Sequence, residues 1–299
     1  MNNIIELLER YGPLTGKEII EKTNMNALHL WRICNNNAGI VLRTVGKRYL
    51  RLDKQVGGWA RLSPSIIREF YSYSIIGLEG QLQAILIRAD LLQQEIIGIS
   101  KKKYQLAQAV MKNAVDFQED SQLILANACF IIAGDVAYEM AHLEPRPELT
   151  TGELVNGSDL DIVIVTEGLP DYITKSLDSS IYAQKAYLLK NPSCREEIDY
   201  IIKTMSTIKS QLKFDCLKSM IASKVLYEGK FLYGNLGLFN EVKKMIVKEG
   251  VPERIALMEK KAVIHRENAR LQLLKCDDSL YNGEIMNLFY TKEENEEFL

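Results

Sequence analysis

The pattern of apolar and polar positions divides the chain into a strand-forming centre and helical flanks. Apolar residues recur every three or four positions over most of the sequence, which is the spacing of helices that pack one face on a core. Two short runs at 129–133 and 162–165 depart from this spacing and consist mostly of Ile, Val and Phe, as buried strands do. The pattern therefore predicts an α+β fold in which helices flank a central strand-forming region. The expected regions are 1–61, 62–128, 129–235 and 236–299.

The first region carries signals for three short helices and two strands. A capping box of Thr15 and Glu18 starts the second helix, and Asn24 can cap the third. Strands are expected at 40–44 and 48–52, joined by a tight turn. Three helices followed by a hairpin resemble a winged helix-turn-helix, in which the third helix enters a DNA groove and the hairpin forms the wing.

Charge favours a nucleic-acid contact for this region. Residues 1–61 hold ten Lys and Arg against five Asp and Glu, whereas the rest of the chain holds 27 against 34. The side chains expected to contact phosphates are Arg32, Arg43, Lys47, Arg48 and Arg51. Further contacts in the third helix are expected from Asn26, His29 and Asn35. The alternative is a protein-contact or dimerisation module, because winged helices also serve in that role.

Helical spacing continues through the second and fourth regions. The expected helices are 64–77, 81–97, 103–117, 238–247 and 252–274. The lysine run 101–103 is expected to lie in a solvated loop between two of these helices. The acidic segment 291–299 is expected to be a solvated tail.

The central region holds the residues that can carry chemistry. Asn156 to Ser158 form a turn, and Asp159 and Asp161 stand at the start of the strand that follows. Side chains two residues apart on a strand point to the same side, so the two carboxylates are expected to lie together. Such close like charges repel unless a cation lies between them, and hard oxygen ligands suit Mg²⁺. Two solvated acids at a capped turn are the alternative.

Gly134 adds a second element to this site. It follows the first apolar run and precedes a helix, so backbone N–H groups there can face an anion, and glycine allows a phosphate to approach. An apolar residue and Gly, then after a gap Asp-apolar-Asp-apolar, resemble the signature of the DNA-polymerase-β-like nucleotidyltransferase superfamily. The matching residues are Ala133, Gly134, Asp159, Leu160, Asp161 and Ile162. The resemblance covers about residues 115–235 and implies a mixed sheet flanked by helices.

This resemblance implies a third carboxylate on a neighbouring strand. Asp199 is expected to supply it, and Asp215 is the alternative. The nucleotide-binding residues that the resemblance implies are Gly134, Asp135, Gly157, Ser158 and Lys224. Lys218 is the alternative to Lys224 as the lysine that reaches the triphosphate, and either one can instead be a solvated helix residue. The family usually has Ser or Gly where this chain has Asp135, and an aspartate there repels a phosphate unless it faces away. The gap between Gly134 and Asp159 is also longer than usual in the family.

The activity implied by the resemblance is a nucleotidyltransferase that depends on Mg²⁺ or Mn²⁺. Asp159, Asp161 and Asp199 would hold the metal against an NTP such as ATP, and an acceptor hydroxyl would attack the α-phosphorus and release pyrophosphate. The winged helix favours a nucleic-acid or protein acceptor, including a toxin or defence role. The alternative function is a DNA-binding regulator with a catalytically inactive nucleotide-sensing domain, and Asp135 is its best support.

Composition sets the remaining expectations. The five cysteines are odd in number, scattered and free of CxxC spacing, which favours reduced thiols in the cytoplasm and disfavours a zinc site. The N-terminal residues lack the pattern of a signal peptide, and no apolar run approaches the length of a membrane span. We therefore expect a cytoplasmic protein with no membrane partner.

Overall fold

The structure is a computed structural model that describes residues 2–148, 152–275, 283–291 and 294. It has a mixed α+β fold with several small sheets. The chain forms two compact units, of which the first comprises Met1–Ile96 with Glu259–Leu299 and the second Ile97–Met258. This division differs from the four expected regions, because residues from both ends of the chain belong to one unit.

The helices and strands follow in this order. The chain begins with α1 (Asn2–Tyr11), β1 (Leu14–Thr15), α2 (Gly16–Thr23), α3 (Ala27–Asn36), β2 (Ile40–Thr44), β3 (Tyr49–Leu52), β4 (Ala60–Ser63), α4 (Ile66–Ser72) and β5 (Ser74–Leu78). It continues with α5 (Leu82–Asp116), α6 (Ser121–Asn127), β6 (Ala128–Ile132), α7 (Gly134–Tyr138), β7 (Pro145–Pro147), β8 (Leu154–Asn156), β9 (Leu160–Thr166), α8 (Asp171–Lys190) and β10 (Ile198–Thr204). The remaining elements are α9 (Met205–Gln211), α10 (Leu217–Glu228), β11 (Lys230–Gly234), α11 (Leu236–Lys248), α12 (Val251–Lys275) and α13 (Gly283–Phe289).

The three predicted N-terminal helices are present in the first unit. Thr15 and Glu18 form the predicted capping box at the start of α2. The cap of α3 is Asn26, whose side chain accepts from the backbone of Leu28 and His29, and not Asn24. Asn24 instead ends α2 in the left-handed conformation, with a φ of 53°, which asparagine tolerates better than most residues.

The predicted hairpin of 40–44 with 48–52 is wrong. β2 pairs with β5, and β3 pairs with β4, so neither strand has the other as a partner. β5 is the centre of an antiparallel sheet in the order β1-β5-β2. The predicted helix 64–77 therefore stops at Ser72, because the apolar run around Ile75 and Ile76 is fully buried as the central strand of this sheet.

The second unit contains the predicted central strands. Its four-stranded sheet has the order β10-β9-β6-β11, with β9 parallel to β10 and antiparallel to β6. The runs predicted as strands at 129–133 and 162–165 correspond to β6 and β9. Alternate β9 residues, Leu160, Ile162 and Ile164, are buried in a core shared with α5 and α8. The intervening residues face the opposite side of the sheet.

The predicted loop at 101–103 is also wrong, because α5 is one continuous helix through that segment. Lysine is a good helix former, so a run of charges without proline does not end a helix. Lys103 is buried, and its Nζ donates to the backbone O of Asn156 at 2.7 Å and to Glu196 Oε2 at 2.5 Å. This buried ion pair ties α5 to the segment before β9 and to the segment before β10.

The C-terminal helices match their predictions closely. The helix predicted at 238–247 is α11, and the helix predicted to run from 252 past 274 is α12. Most of the acidic segment 291–299 lies outside the described residues. No helix in the described part of the chain combines the length and the apolar character that crossing a membrane requires.

The Lys103–Glu196 pair generates a stability prediction. We expect Lys103→Met to lower the free energy of unfolding by about 3 kcal/mol, because removing one partner leaves the other as an uncompensated buried charge. Lys102→Met is the matched control, since the Lys102 side chain is exposed, and it should change stability by less than about 0.5 kcal/mol. Urea unfolding measures both. Equal stability of the two variants would contradict the prediction.

Candidate active site

The two parallel strands β9 and β10 bring three aspartates to one face of the sheet. Asp199 on β10 lies opposite Asp161 on β9 in the strand register. Residues in register on parallel strands point to the same face, and Asp159 precedes Asp161 by two positions. Asp159 and Asp161 are partly buried, whereas the Asp199 side chain is 55% exposed. The sequence prediction that these three acids lie near one another therefore agrees with the strand register.

Gly134 occupies a position that only glycine fits. Its φ is +63°, and a Cβ at this position would overlap the carboxylate of Asp161. The backbone N–H of Ala133 donates to Asp161 O at 2.9 Å, and that of Gly134 donates to Glu228 Oε1 at 3.2 Å. The Gly134 N–H group predicted to face a phosphate thus already contacts a carboxylate.

The turn before Asp159 is fixed by the loop that follows α7. Gly157 has a φ of +61°, and a Cβ there would overlap the backbone O of His142. The Ser158 hydroxyl accepts from His142 N at 3.2 Å and donates to Asp135 Oδ2 at 2.8 Å. Gly157 and Ser158 therefore position the turn through the loop, and Asp135 is held against Ser158.

Burial and the repulsion of neighbouring acids act together on these carboxylates. Burial raises the pKa of Asp161 well above its usual range, and the charges of Asp159, Asp135, Asp199 and Glu228 raise it further. Burial also raises the pKa of Asp159, with added repulsion from Asp135 and Asp199 that Arg146 opposes. Asp135 consequently adds negative charge to the cluster. An aspartate at this position was expected to repel a phosphate unless it faced away, so this added charge is unfavourable for phosphate binding.

Three cationic side chains contact this cluster. Arg146 Nη2 lies 2.8 Å from Glu197 Oε2 and 3.7 Å from Asp159 Oδ2. Lys185 Nζ donates to Asp199 Oδ1 at 2.9 Å. Lys224, one of the predicted nucleotide-binding residues, pairs with Glu228. Arg146 thus lies beside Asp159 and Lys185 beside Asp199, whereas no cationic side chain among the described residues forms an ion pair with Asp161.

The donor set of Asp159 and Asp161 fits one hard divalent cation. Both offer carboxylate oxygens, and their pKa values are raised first by burial and then by neighbouring acids, so a cation between them would stabilise the charged forms. Within the described residues, no three His, Cys, Asp or Glu side chains gather closely enough to surround one ion. Two protein carboxylates nevertheless suffice for Mg²⁺, which commonly completes its shell with water and substrate phosphate.

The two candidates for the third acid differ in their positions. Asp199 faces the Asp161 side of the sheet, whereas Asp215 lies before α10, is exposed and accepts from Ser219 Oγ at 2.9 Å. The bond with Ser219 lowers the pKa of Asp215. Only Asp199 therefore sits on a strand beside the other two acids.

Several residues at this site were not anticipated from the sequence. Arg146, Glu197 and Glu228 contact the cluster but belong to no short motif. Arg146 lies in the long gap between Gly134 and Asp159, where β7 and β8 form a small hairpin and Arg146 Nε donates to Gly157 O at 2.8 Å. The unusual length of the gap between Gly134 and Asp159 was the only feature of the sequence that could have pointed to Arg146.

The predicted nucleic-acid residues of the first unit are unequally accessible. Arg32 is buried, and its Nε donates to Leu273 O at 2.7 Å, while the neighbouring Trp31 ring contacts Phe289 at 5.8 Å between centroids. Arg48 forms two hydrogen bonds with Glu69. Arg43 and Lys47 are exposed, and Arg51 is partly buried. The burial of Arg32 argues against its predicted phosphate contact.

Comparison with known proteins found no matching family model, no matching curated protein and no matching solved structure.

The repulsion at Asp161 generates a pH-dependent prediction. Because its pKa is raised in the folded protein, stability falls as pH rises from 3.8, the ordinary pKa of aspartate, through the raised value. We expect Asp161→Asn to raise Tm at neutral pH in EDTA by roughly 2–4 °C, and this gain should shrink towards pH 4. Asp215→Asn is the control and should give no gain. Calorimetry across pH measures the effect, and a lower Tm for Asp161→Asn at neutral pH would refute it.

Proposed function

We propose that this chain is a metal-dependent nucleotidyltransferase that moves a nucleotide from an NTP to an acceptor hydroxyl and releases pyrophosphate. One observation carries the proposal: Asp199 lies in register with Asp161 on a parallel neighbouring strand, where Asp159 and the glycine turn at Gly134 also meet. That combination matches the resemblance to the DNA-polymerase-β-like superfamily in both residue type and strand position.

The metal is assigned to the acids at the start of β9. Asp159 and Asp161 would hold Mg²⁺ or Mn²⁺, and Asp199 is the third predicted ligand. Such an ion, when bound, neutralises charge on the phosphates of an NTP. The carboxylates and the ion would offset each other's charge, so binding of the ion also relieves the repulsion between Asp159 and Asp161.

Asp199 is assigned the proton transfer. Its exposed carboxylate can accept the proton of the acceptor hydroxyl, whose oxygen then forms a bond with the α-phosphorus as the bond to pyrophosphate breaks. Lys185 fixes the orientation of Asp199 in the resting protein through their 2.9 Å bond. Lys224 remains the predicted triphosphate contact, beside Tyr138 and Glu228.

The first unit supports a winged-helix resemblance in its strand order. β1, β5 and β2 form one antiparallel sheet, and α2 and α3 lie between β1 and β2 in sequence. This arrangement differs from the hairpin wing first expected, because β3, β4 and α4 are inserted between β2 and β5. Nucleic-acid contact through this unit is assigned to the exposed residues Arg43 and Lys47.

A catalytically inactive nucleotide sensor is the second candidate. The observation that favours it is the negative charge at the position assigned to phosphate. Asp135 adds to the repulsion at Asp161, and Glu228 accepts the Gly134 N–H. In this alternative an NTP binds and shifts a conformational equilibrium, but no nucleotide is transferred.

A label-transfer experiment tests the activity. The full chain is incubated with each α-labelled NTP and Mg²⁺ or Mn²⁺, alone and with total RNA or cell lysate. We expect label to reach an acceptor, and we expect Asp159→Asn, Asp161→Asn and Asp199→Asn each to lower the rate at least about 100-fold. The γ-labelled NTP should label no acceptor, because that phosphate leaves in pyrophosphate.

Asp215→Asn is the matched control for the third acid and should retain full transfer. A nucleotide that binds without moving label under any condition supports the sensor instead. Loss of transfer in Asp215→Asn with retention in Asp199→Asn would exchange the roles assigned to these two aspartates.

Nucleic-acid contact is tested separately. We expect Arg43→Glu with Lys47→Glu to lower duplex-DNA affinity at least about tenfold at low salt, since two phosphate contacts become repulsive. Lys54→Glu, a charge reversal at another exposed position of the same unit, is the control. Fluorescence anisotropy measures the affinities. Equal DNA affinity of the double variant and the wild type would remove these residues from any DNA contact.

A further inference from the structure

A cavity of about 880 Å³ extends away from the acids along β10. Its floor is the exposed face of β10, with Asp199, Ile201 and Lys203 at alternate positions, and its walls come from α8 and α10. Asp161 and Asp199 lie at one end, beside the proposed reaction centre. The cavity is large enough for a ligand of the size of a nucleotide or a dinucleotide.

The opposite end of this cavity is basic. Lys203 lines it from β10 and Lys218 from α10. On α8, Lys185 contacts Asp199 and Asp178 accepts from Tyr200 Oη at 2.8 Å, so α8 runs antiparallel to β10. Lys175 consequently lies towards Lys203. We call Lys175, Lys203 and Lys218 the lysine end of the cavity.

Within the described residues, Lys203 and Lys218 form no ion pair with a carboxylate. Lys203 Nζ donates to the neutral side chain of Gln211 at 3.0 Å, and Asp178, the acid that lines this cavity from α8, accepts from Tyr200 Oη. Burial lowers the pKa of Lys203, and the nearby charge of Lys218 lowers it further. An anion at this end would relieve that repulsion, as a cation would at the opposite end.

The two ends are separated by a defined length. Asp199 and Lys203 are four residues apart on a strand, which spans about 13 Å at the rise of a parallel strand. Between them, Ile201 is 49% exposed and Tyr182 on α8 is 65% exposed, so the middle of the cavity offers apolar surface. The cavity thus has an acidic end, an apolar middle and a basic end.

The residues assigned to the NTP lie elsewhere. Gly134, Asp135, Gly157, Ser158 and Lys224 are absent from the described lining of the cavity. They belong to α7, to the turn before β9 and to a part of α10 that contacts Tyr138 and Glu228. The cavity is therefore left for the second substrate of the reaction.

We propose that this cavity binds the acceptor, and that the acceptor is a phosphate ester whose phosphate contacts Lys203 and Lys218 about 13 Å from the hydroxyl that faces Asp199. This inference rests on the proposed function for the role of the ligand, but not for its binding. Either a short 5′-phosphorylated oligonucleotide or a phosphorylated metabolite of that length supplies the required chemistry.

Binding without NTP or metal tests the cavity independently of catalysis. The probes are a 5′-phosphorylated dinucleotide with its unphosphorylated form, and hydroxyoctyl phosphate with octanediol. Calorimetry on the full chain should show at least about tenfold tighter binding for a phosphorylated probe than for the matching unphosphorylated compound. Preference for the dinucleotide alone identifies a nucleic-acid end, whereas binding of both phosphate esters identifies phosphate chemistry without a base.

Variants at the lysine end complete the test. Lys218→Gln should fold normally, because Lys218 is exposed and forms no hydrogen bond or ion pair with another described residue. Lys203→Gln with Lys218→Gln should abolish the tenfold preference. Lys209→Gln, at an exposed position of α9 outside the cavity, is the control and should retain it. ATP affinity should be unchanged in all three variants.

Two results would overturn the proposal. One is equal binding of phosphorylated and unphosphorylated probes by the wild type. The other is a loss of ATP affinity in the double variant, which would make the cavity a nucleotide site. Failure of label transfer with phosphate-dependent binding intact would instead refute the proposed catalysis while the cavity assignment stands.

Discussion

Strand pairing in the second unit forces like charges together. The register of β9 with β10 places Asp161 beside Asp199, and the turn at Gly157 brings Asp159 to the same side. Neither strand can shift by one residue without moving its buried Ile and Leu side chains to the wrong face of the sheet. The apolar core therefore supplies the energy that holds the carboxylates in place, while burial and, after it, the neighbouring acids raise the pKa values of Asp159 and Asp161.

Acidic and basic side chains are separated around this sheet, and the overall composition of the chain does not reveal that separation. Negative charge concentrates at the start of β9 and β10, and lysines concentrate at the end of β10 and on the adjoining helices. A net charge of −2 over the chain gives no indication of this separation. Separated charges of this kind orient a ligand that carries a negative charge at one end, since the reversed orientation places that charge against the carboxylates and away from the lysines.

Local patterns in the sequence predicted the features that neighbouring residues determine. They missed the contacts that depend on residues far away in the sequence. The capping box at Thr15 and the apolar runs of β6 and β9 involve neighbouring residues only, and their predictions are confirmed. The pairing of β2 with β5 joins residues 30 to 38 positions apart, so adjacency in sequence suggested the wrong partner. Lys103 was predicted to lie in a loop, because its ion-pair partner Glu196 is 93 residues away and gives no local signal in the sequence. Arg146 and Glu228 were missed for the same reason, whereas Asp159 and Asp161 stand two residues apart and were visible as a pair.

The first unit combines residues from both ends of the chain, and this has a consequence for its synthesis on the ribosome. Its core joins Trp31 to Phe289 and Arg32 to Leu273, so nearly the whole chain must be made before that core can close. The second unit ends at Met258, 31 residues before Phe289, and is therefore synthesised first. During translation the emerging chain therefore passes through a stage in which the carboxylate site and its cavity can already fold, while α3 still exposes the apolar surface that α12 and α13 later cover. Chaperone contact at that stage would be expected on the N-terminal helices.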